Sequence, residues 1–515
     1  LLARPAGGGA PPALVTLDGA RASVRGMTLV NGHDGADQVA LAIRAPDVVV
    51  ERTRAVLVDE RGAAPRRGRG RIIETGAIYV NAAGKANVVL ADAEVHAPGP
   101  GVVIGNLQPS HDDDAPPAPS TDFVQIRNVT FRGYYAGEPS GKLVPRASGL
   151  SAGVVVRNGK HLIVERSDFA GADKPGGRSL GRTVFVQNTS ARNLYLAHNR
   201  SVGVGPYPAS RMHANQGEQY LFHVWYPQGG LFDVLEADGR TVAIDTRNVR
   251  PGVPGDRGGL LSSSAAGSRV LDEVGRNDHW IVFVCAGKGV GQYRVVDGAS
   301  RAPDGVVLHV RDPWRVVPGG ESRVVLLVAY RHHILYGNLV DGGTPVPSHK
   351  SVGVLFWYAA FDNLVVGNTF RSLTSGLAVN TAFRNPTGWN VARDNRFDDI
   401  RGFSGGSSLR AAFYTHHLRL DGSRWPEPED RVWYSVGNVV RGSRGRGADV
   451  AAFVVARGSR NRPPGDVPHP DGGLMLDVVE DNRFEAVSEG IVTGAPARDL
   501  VLRDNEVVTS AGRRP

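Results

Sequence analysis

The chain has 515 residues, of which 41% are hydrophobic and 21% charged, with a formal net charge of +8, a balance that describes a folded protein rather than a disordered one. No apolar stretch approaches the roughly 18 residues that a transmembrane helix needs, and the single cysteine, Cys285, excludes a disulfide framework or a multi-cysteine metal site. The 66 glycines and 33 prolines favour many turns and few long helices.

Residues 1–13 are rich in Gly and Pro and read as a frayed end. From Leu14 onward, runs such as ALVTL, VALAI, DVVVE and ANVVLA alternate with Gly, Asn or Asp, as short strands between tight turns do. Gln108 to Ser120 is a loop. Its Asp112, Asp113 and Asp114 are oxygen ligands of the kind Ca2+ takes, although an acidic run among prolines reads first as a solvated loop, and no cofactor is expected.

One phrase then recurs: a few β-branched residues, an Asn, and a Phe or Val one or two residues later. It contains Asn128, Asn199, Asn338, Asn368, Asn395, Asn438, Asn482 and Asn505, and an imperfect copy has Ser167 in the Asn position. From Asn482 to Asn505 is 23 residues, from Asn368 to Asn395 is 27, and from Asn338 to Asn368 is 30. The shortest interval holds about three strands of five residues, which is one coil of a parallel β-helix. Longer intervals are coils with a loop at one bend. The Asn is expected to stack on its equivalents and to take the left-handed backbone of the bend, with the following Phe or Val pointing inward.

Between Asn199 and Asn338 the phrase is missing for 139 residues. The texture changes to hairpin-like strands, QYLFHVWYP, LFDVLEA, TVAIDT, HWIVFVCAG and GVVLHV, which predict an antiparallel barrel or sandwich. The domain plan is therefore a solenoid over 14–215, an inserted β domain over 216–327, and the solenoid again over 328–510.

Phrases such as DNLVVGNTF and ARDLVLRDNEV resemble those of right-handed parallel β-helix proteins of the pectin-lyase-like superfamily. The insert, with GKGVGQYRVV, is similar to a segment of bacterial β-helix proteins presumed to act on carbohydrate. The resemblance implies a secreted or periplasmic polysaccharide lyase or glycoside hydrolase, with a polysaccharide or oligosaccharide as partner and neither nucleic acid nor membrane. The alternative it leaves open is a non-catalytic glycan-binding, tailspike-like or adhesin-like protein. The Arg-x-Pro-x-x-Arg pattern of pectate lyases and the Asn-Thr-Asp and Gly-His-Gly motifs of polygalacturonases are absent, so no family's catalytic residues carry over.

Reading forward from each phrase nominates a face of strands: 154–158, 183–188, 353–360, 376–383, 411–418 and 450–457. On it Trp357, Tyr358, Asn380 and Tyr414, with His349 and Lys350 from the preceding loop, are candidate sugar contacts. Arg384, His416 and His417 are candidates for neutralising a uronate carboxylate and for proton transfer. These nominated strands contain no carboxylate, so a hydrolase would draw its acid pair from loops; Asp341, Asp398 and Asp399 are the nominees, with Glu218 at the insert junction a further acid.

Overall fold

The computed structural model describes residues 13–33, 39–59, 76–97, 100–106, 119–133, 152–170, 181–187, 191–204, 207–208, 218–223, 230–246, 274, 280–343, 349–357, 359–382, 386–400, 411–418, 433–458, 473–493 and 500–509. For some strand residues among these, Asn380 and His416 included, the backbone alone is described. The phrase-bearing segments form a parallel β-helix with three strands per coil. In one coil, Ala152–Val156 lies on what we call the face strip, Lys160–Glu165 on the back sheet and Asp168–Ala170 on a shoulder strip. The next coil begins with Arg182–Val186, paired in parallel so that Val154 meets Val184. The face and shoulder strips belong to one 22-stranded sheet and the back strands to one of 15.

Each bend from back sheet to shoulder divides two tasks between two neighbouring residues. Arg166, His198, Gly337, Gly367, Asp394, Gly442, Asp481 and Asp504 hold φ between +50° and +64° and so make the left-handed step. The residues after them, Ser167, Asn199, Asn338, Asn368, Asn395, Ser443, Asn482 and Asn505, turn inward. Asn199 Nδ2 donates to Asn338 Oδ1 at 3.0 Å, Asn338 to Asn368 at 2.9 Å and Asn368 to Asn395 at 3.0 Å. The ladder Asn thus does not itself take the left-handed backbone, contrary to expectation, because its side chain is needed one residue past the reversal. Asn128 departs in the other direction. It is the left-handed residue, exposed and bonded to Asp92, while Val129 sits inside. Asn438 belongs to a second ladder, Asn363–Asn390–Asn438–Asp477, within the 15-stranded sheet, at the bend between the extra two-residue strands of these later coils, such as Ala360–Phe361 and Thr387–Gly388, and the back strands that follow them.

The inward residue two past each ladder position stacks as expected. Phe131 and Phe169 lie 4.5 Å apart, and Phe370 and Phe397 5.1 Å, a geometry that adds to their area burial.

At the head of the second ladder stands His333, fully buried against Phe222 and Tyr330, with neither ring nitrogen hydrogen-bonded among the described residues. Burial first, then the positive charges of His332, Arg192 and Arg331, pushes its pKa down to about 3. An ordinary histidine protonates near 6.5, so the unfolded chain takes up a proton that the folded chain refuses, and stability is lost as pH falls from 6.5 towards 3. The penalty is about 3 kcal/mol at pH 4. His333→Leu is therefore expected to raise the melting temperature more at pH 4 than at pH 7; an equal rise at both, in calorimetry, would refute this.

The insert is a closed antiparallel barrel of six strands in the order Gly230–Ala237, Thr241–Asp245, Gly305–Val310, Tyr293–Ala302, Trp280–Ala286 and Arg323–Val328. Its boundary lies later than the sequence placed it. Glu218–His223 pairs in parallel with Arg182–Val186 and with Val352–Trp357, so this strand belongs to the solenoid. The runs WIVFVCA and RVVLLV lack polar alternation because both faces are buried. Val282, Val284, Val324 and Leu326 join the main core, whereas Ile281, Phe283, Cys285, Val325 and Leu327 pack on Ala359, Phe361 and Val436 of the solenoid. Burying those five outward side chains contributes on the order of 10 kcal/mol as an upper estimate. The barrel is therefore docked on the solenoid rather than tethered beside it.

Candidate functional site

Residues at the C-terminal ends of the face strands align across coils. His223 pairs with Trp357, Trp357 with Asn380, Asn380 with His416, and His416 with Arg457. On the other side of His223 the row continues through Gln187, which follows the Val186–Phe222 pair, and Arg157. The register thus brings Trp357, Asn380 and His416 into one line. Beside it runs an apolar row, Val103, Val155, Phe185, Leu221, Leu355 and Ala378, with Tyr414 paired to Ala378.

The best-defined part of this face lies where the chain leaves for the barrel. The rings of His223 and Trp357 stack at 5.8 Å with 22° between their planes, and the edge of Phe185 approaches His223 at 6.5 Å. Arg182 lies 5.1 Å over the Phe185 ring and forms a buried ion pair with Glu218 at 3.3 Å. His223 is 6% exposed. Its burial, and secondarily the Arg182 guanidinium, pushes its pKa down to about 4, with Glu218 opposing. It is a neutral imidazole at physiological pH.

The ion pair makes a separate prediction. Arg182→Met would leave the Glu218 charge buried without its guanidinium and should cost about 3 kcal/mol or more. Adding Glu218→Leu should recover most of the loss. A double variant no more stable than the single one, by thermal melting, would contradict this.

Glu218 corrects the expectation of a face without carboxylates, and the residues missed by sequence reasoning are Arg157, Arg182, Gln187 and His223. The sequence places the strand EQYLFH in the insert because the phrase disappears there. A signal was present nonetheless, in that YLFH of this strand matches VLFW at Val354 to Trp357, its neighbour in the sheet.

The nominated acids lie on the shoulder strip. Asp341 accepts from Arg371 Nε at 2.9 Å and Nη2 at 2.5 Å, and from the Gly343 amide at 2.9 Å. Asp398 pairs with Arg396 at 2.5 Å, and Asp399 takes φ of +53° at a bend, within 3.4 Å of the Ser372 hydroxyl. The strip therefore uses these carboxylates in cross-coil and bend contacts. His349 and Lys350 form a short antiparallel pairing with Tyr207 and Pro208, and His417 pairs with Thr381 and Gly458. Tyr358, Arg384 and the Asp112 to Asp114 run lie outside the described residues. Among the described residues, no three His, Cys, Asp or Glu side chains cluster as a metal site would need, and no helix is long and apolar enough to cross a membrane.

Strand pairing and register together define a parallel β-helix carrying an inserted antiparallel barrel, with His223 and Trp357 stacked on one face and Asn380 and His416 in register with them. No protein-family model matches the chain, and no curated protein matches it. Among solved structures it is similar to the periplasmic alginate epimerase AlgG, with 9% identity over 94% of this chain and 74% of that one, at a TM-score of 0.41. It is also similar to a mannuronic acid specific polysaccharide family 6 lyase from human gut microbiota, with 10% identity over 97% and 81%, TM-score 0.39. For the Dettilon tailspike protein the values are 9% identity over 92% of this chain, TM-score 0.36. This chain spans only 61% of that tailspike. Likenesses of this degree concern the fold and assign neither substrate nor reaction.

Proposed function

We propose that this protein is a polysaccharide-acting enzyme that binds an acidic glycan along the face strip and cleaves it by β-elimination, with His223 as the base. The observation that carries the reading is the neutral His223 stacked on Trp357 beside a cationic flank, on a described face whose carboxylate, Glu218, is already held by Arg182. Hydrolysis asks for two carboxyl groups about 5–9.5 Å apart across the scissile bond, whereas elimination asks for a base and for cations that acidify the proton α to a uronate carboxylate.

In this reading Trp357 offers its ring to a sugar face, and Arg182, in the ion pair beside His223, and Arg157, two coils from it, neutralise the carboxylate, with Arg384, His349 and Lys350 as further cationic candidates. His223 takes the C5 proton, the C5–H electron pair becomes the C4–C5 double bond, and the C4–O glycosidic bond breaks. The departing oxygen receives a proton from the imidazolium or from water. Asn380, Tyr414 and His416, in register with this face, extend it towards neighbouring sugar units. Because such a polymer lies outside the cytoplasm, secretion or periplasmic export belongs to the proposal.

The second reading, a glycan-binding protein without catalysis, is favoured by the engagement of Glu218 with Arg182. One experiment separates the two. Incubation with a panel of uronate and neutral glycans is expected to yield unsaturated products by ultraviolet absorbance, together with new reducing ends. New reducing ends without unsaturation would replace elimination by hydrolysis, and retained binding with neither product would leave the binder.

A further inference from the structure

Three features link the barrel to the row that contains His223. The first is the apolar joint already described, in which outward residues of Trp280–Ala286 and Arg323–Val328 pack on Ala359, Phe361 and Val436. The second is a pair of polar contacts across the same joint. The Tyr293 hydroxyl donates to the Asp362 carboxylate, and Trp389 Nε1 of the solenoid donates to the Gly291 carbonyl of the barrel at 2.8 Å. Gly291 holds φ of +89°, and a side chain there would meet Val436 Cγ1 at 3.3 Å, so the barrel turn and the solenoid bend are fitted to each other.

The third feature is Trp357. It packs against the apolar row of the face strip and also against the barrel joint, and it is the residue stacked on His223. An indole seated on the cluster in which barrel and solenoid side chains interlock has its plane set by that cluster. A barrel that was only an appended module would have no reason to share a side chain with the face.

We infer that the inserted barrel is a positioning wall of the glycan face, holding Trp357 in its stacked place on His223, so that loosening the barrel joint changes the site without touching it. The inference rests on the reading of this face as the ligand site, but the coupling between joint and site can be measured without any glycan. Around His223 stand Arg182 and Glu218 as charged neighbours and Phe185 and Trp357 as ring neighbours. Displacement of Trp357 admits water to the imidazole and moves its titration back towards an ordinary histidine value.

The test uses the full chain labelled with 13C at histidine Cε1, with the His223 signal among 15 histidines assigned by its loss in His223→Gln. The joint is loosened with Tyr293→Phe and Trp389→Phe together, and retention of the fold is checked by circular dichroism. The expected result is a rise of the His223 titration midpoint by at least one pH unit, together with a red shift in tryptophan emission relative to a Trp389→Phe control. Affinity for a uronate oligosaccharide should weaken about tenfold. Trp357→Ala, with the joint intact, should reproduce the change in His223, and Trp357→Phe should restore most of it. An unchanged His223 titration in the folded double variant would overturn the inference; if that variant does not fold, an unchanged titration in Trp357→Ala does the same. A coupled His223 in a protein that releases no unsaturated product would instead leave the inference standing and remove the proposed elimination.

Discussion

Replacing His223 with glutamine is expected to lower kcat by about 10^2- to 10^4-fold, the usual contribution of a positioned general base. Glutamine retains polarity and approximate size, so the loss reports proton transfer rather than collapse of the face. The pH dependence gives an independent check. A base works only while unprotonated, and burial together with Arg182 pushes the His223 pKa down to about 4. Activity should therefore persist on the acidic side of 6.5 and fall as pH drops through about 4 in kcat/KM. A bound uronate carboxylate favours the imidazolium, so the corresponding limb in kcat should lie at higher pH. Full activity in His223→Gln, or an acid limb near 6.5 that survives this substitution, would remove His223 from the reaction.

Replacing Asn368 with alanine is expected to weaken the solenoid scaffold at the middle of its ladder. Its Oδ1 accepts from the Asn338 amide and from Asn338 Nδ2, both at 2.9 Å, while its own Nδ2 donates to the Leu335 carbonyl at 2.9 Å and to Asn395 Oδ1 at 3.0 Å. Alanine would strip the Asn338 amide of its partner and take one bond each from Asn338 Nδ2, the Leu335 carbonyl and Asn395 Oδ1, of which Asn338 Nδ2 keeps the Leu196 carbonyl and Asn395 Oδ1 keeps the Asn368 backbone amide, so a cost of about 3 kcal/mol is expected. Asn505, at the partly buried end of the ladder, is bonded to Asn482 at 2.9 Å and to the Val479 carbonyl at 2.8 Å. Its alanine variant should cost about 1–2 kcal/mol because solvent reaches the freed groups. Comparable melting temperatures for the two variants would show that the ladder is not cooperative along the axis.

The coil was legible because each turn must solve the same two problems, reversing the chain and pairing the polar groups buried at the reversal. Stacking neighbouring coils imposes the same answer on each. Reading the phrase as a single Asn merged those two solutions, which is why Asn128 and Asn438 were grouped with residues that do a different task. A glycine or aspartate at φ near +55° and the inward asparagine after it are adjacent in sequence, and spacing does not say which is which. The barrel was legible as a change of texture, but its edge was not. The strand Glu218–His223 finds its solenoid partners in Arg182–Val186 on one side and, beyond the whole barrel, in Val352–Trp357 on the other, so no short spacing marks it as part of a coil.

The sequence by itself determined the repeat, its shortest period and the place of the insertion, and it nominated the strands that hold Trp357, Asn380 and His416, since these follow from local strand patterning repeated at a fixed interval. Only the tertiary structure decided that His223, Arg182 and Glu218 form the centre of that row, and that Asp341 and Asp398 are occupied by arginines of the shoulder strip. The physical reason is range. Register between coils is set by backbone hydrogen bonds that repeat and can be counted, whereas ion pairing, ring stacking and the docking of the barrel depend on side chains brought together by a closure more than a hundred residues long.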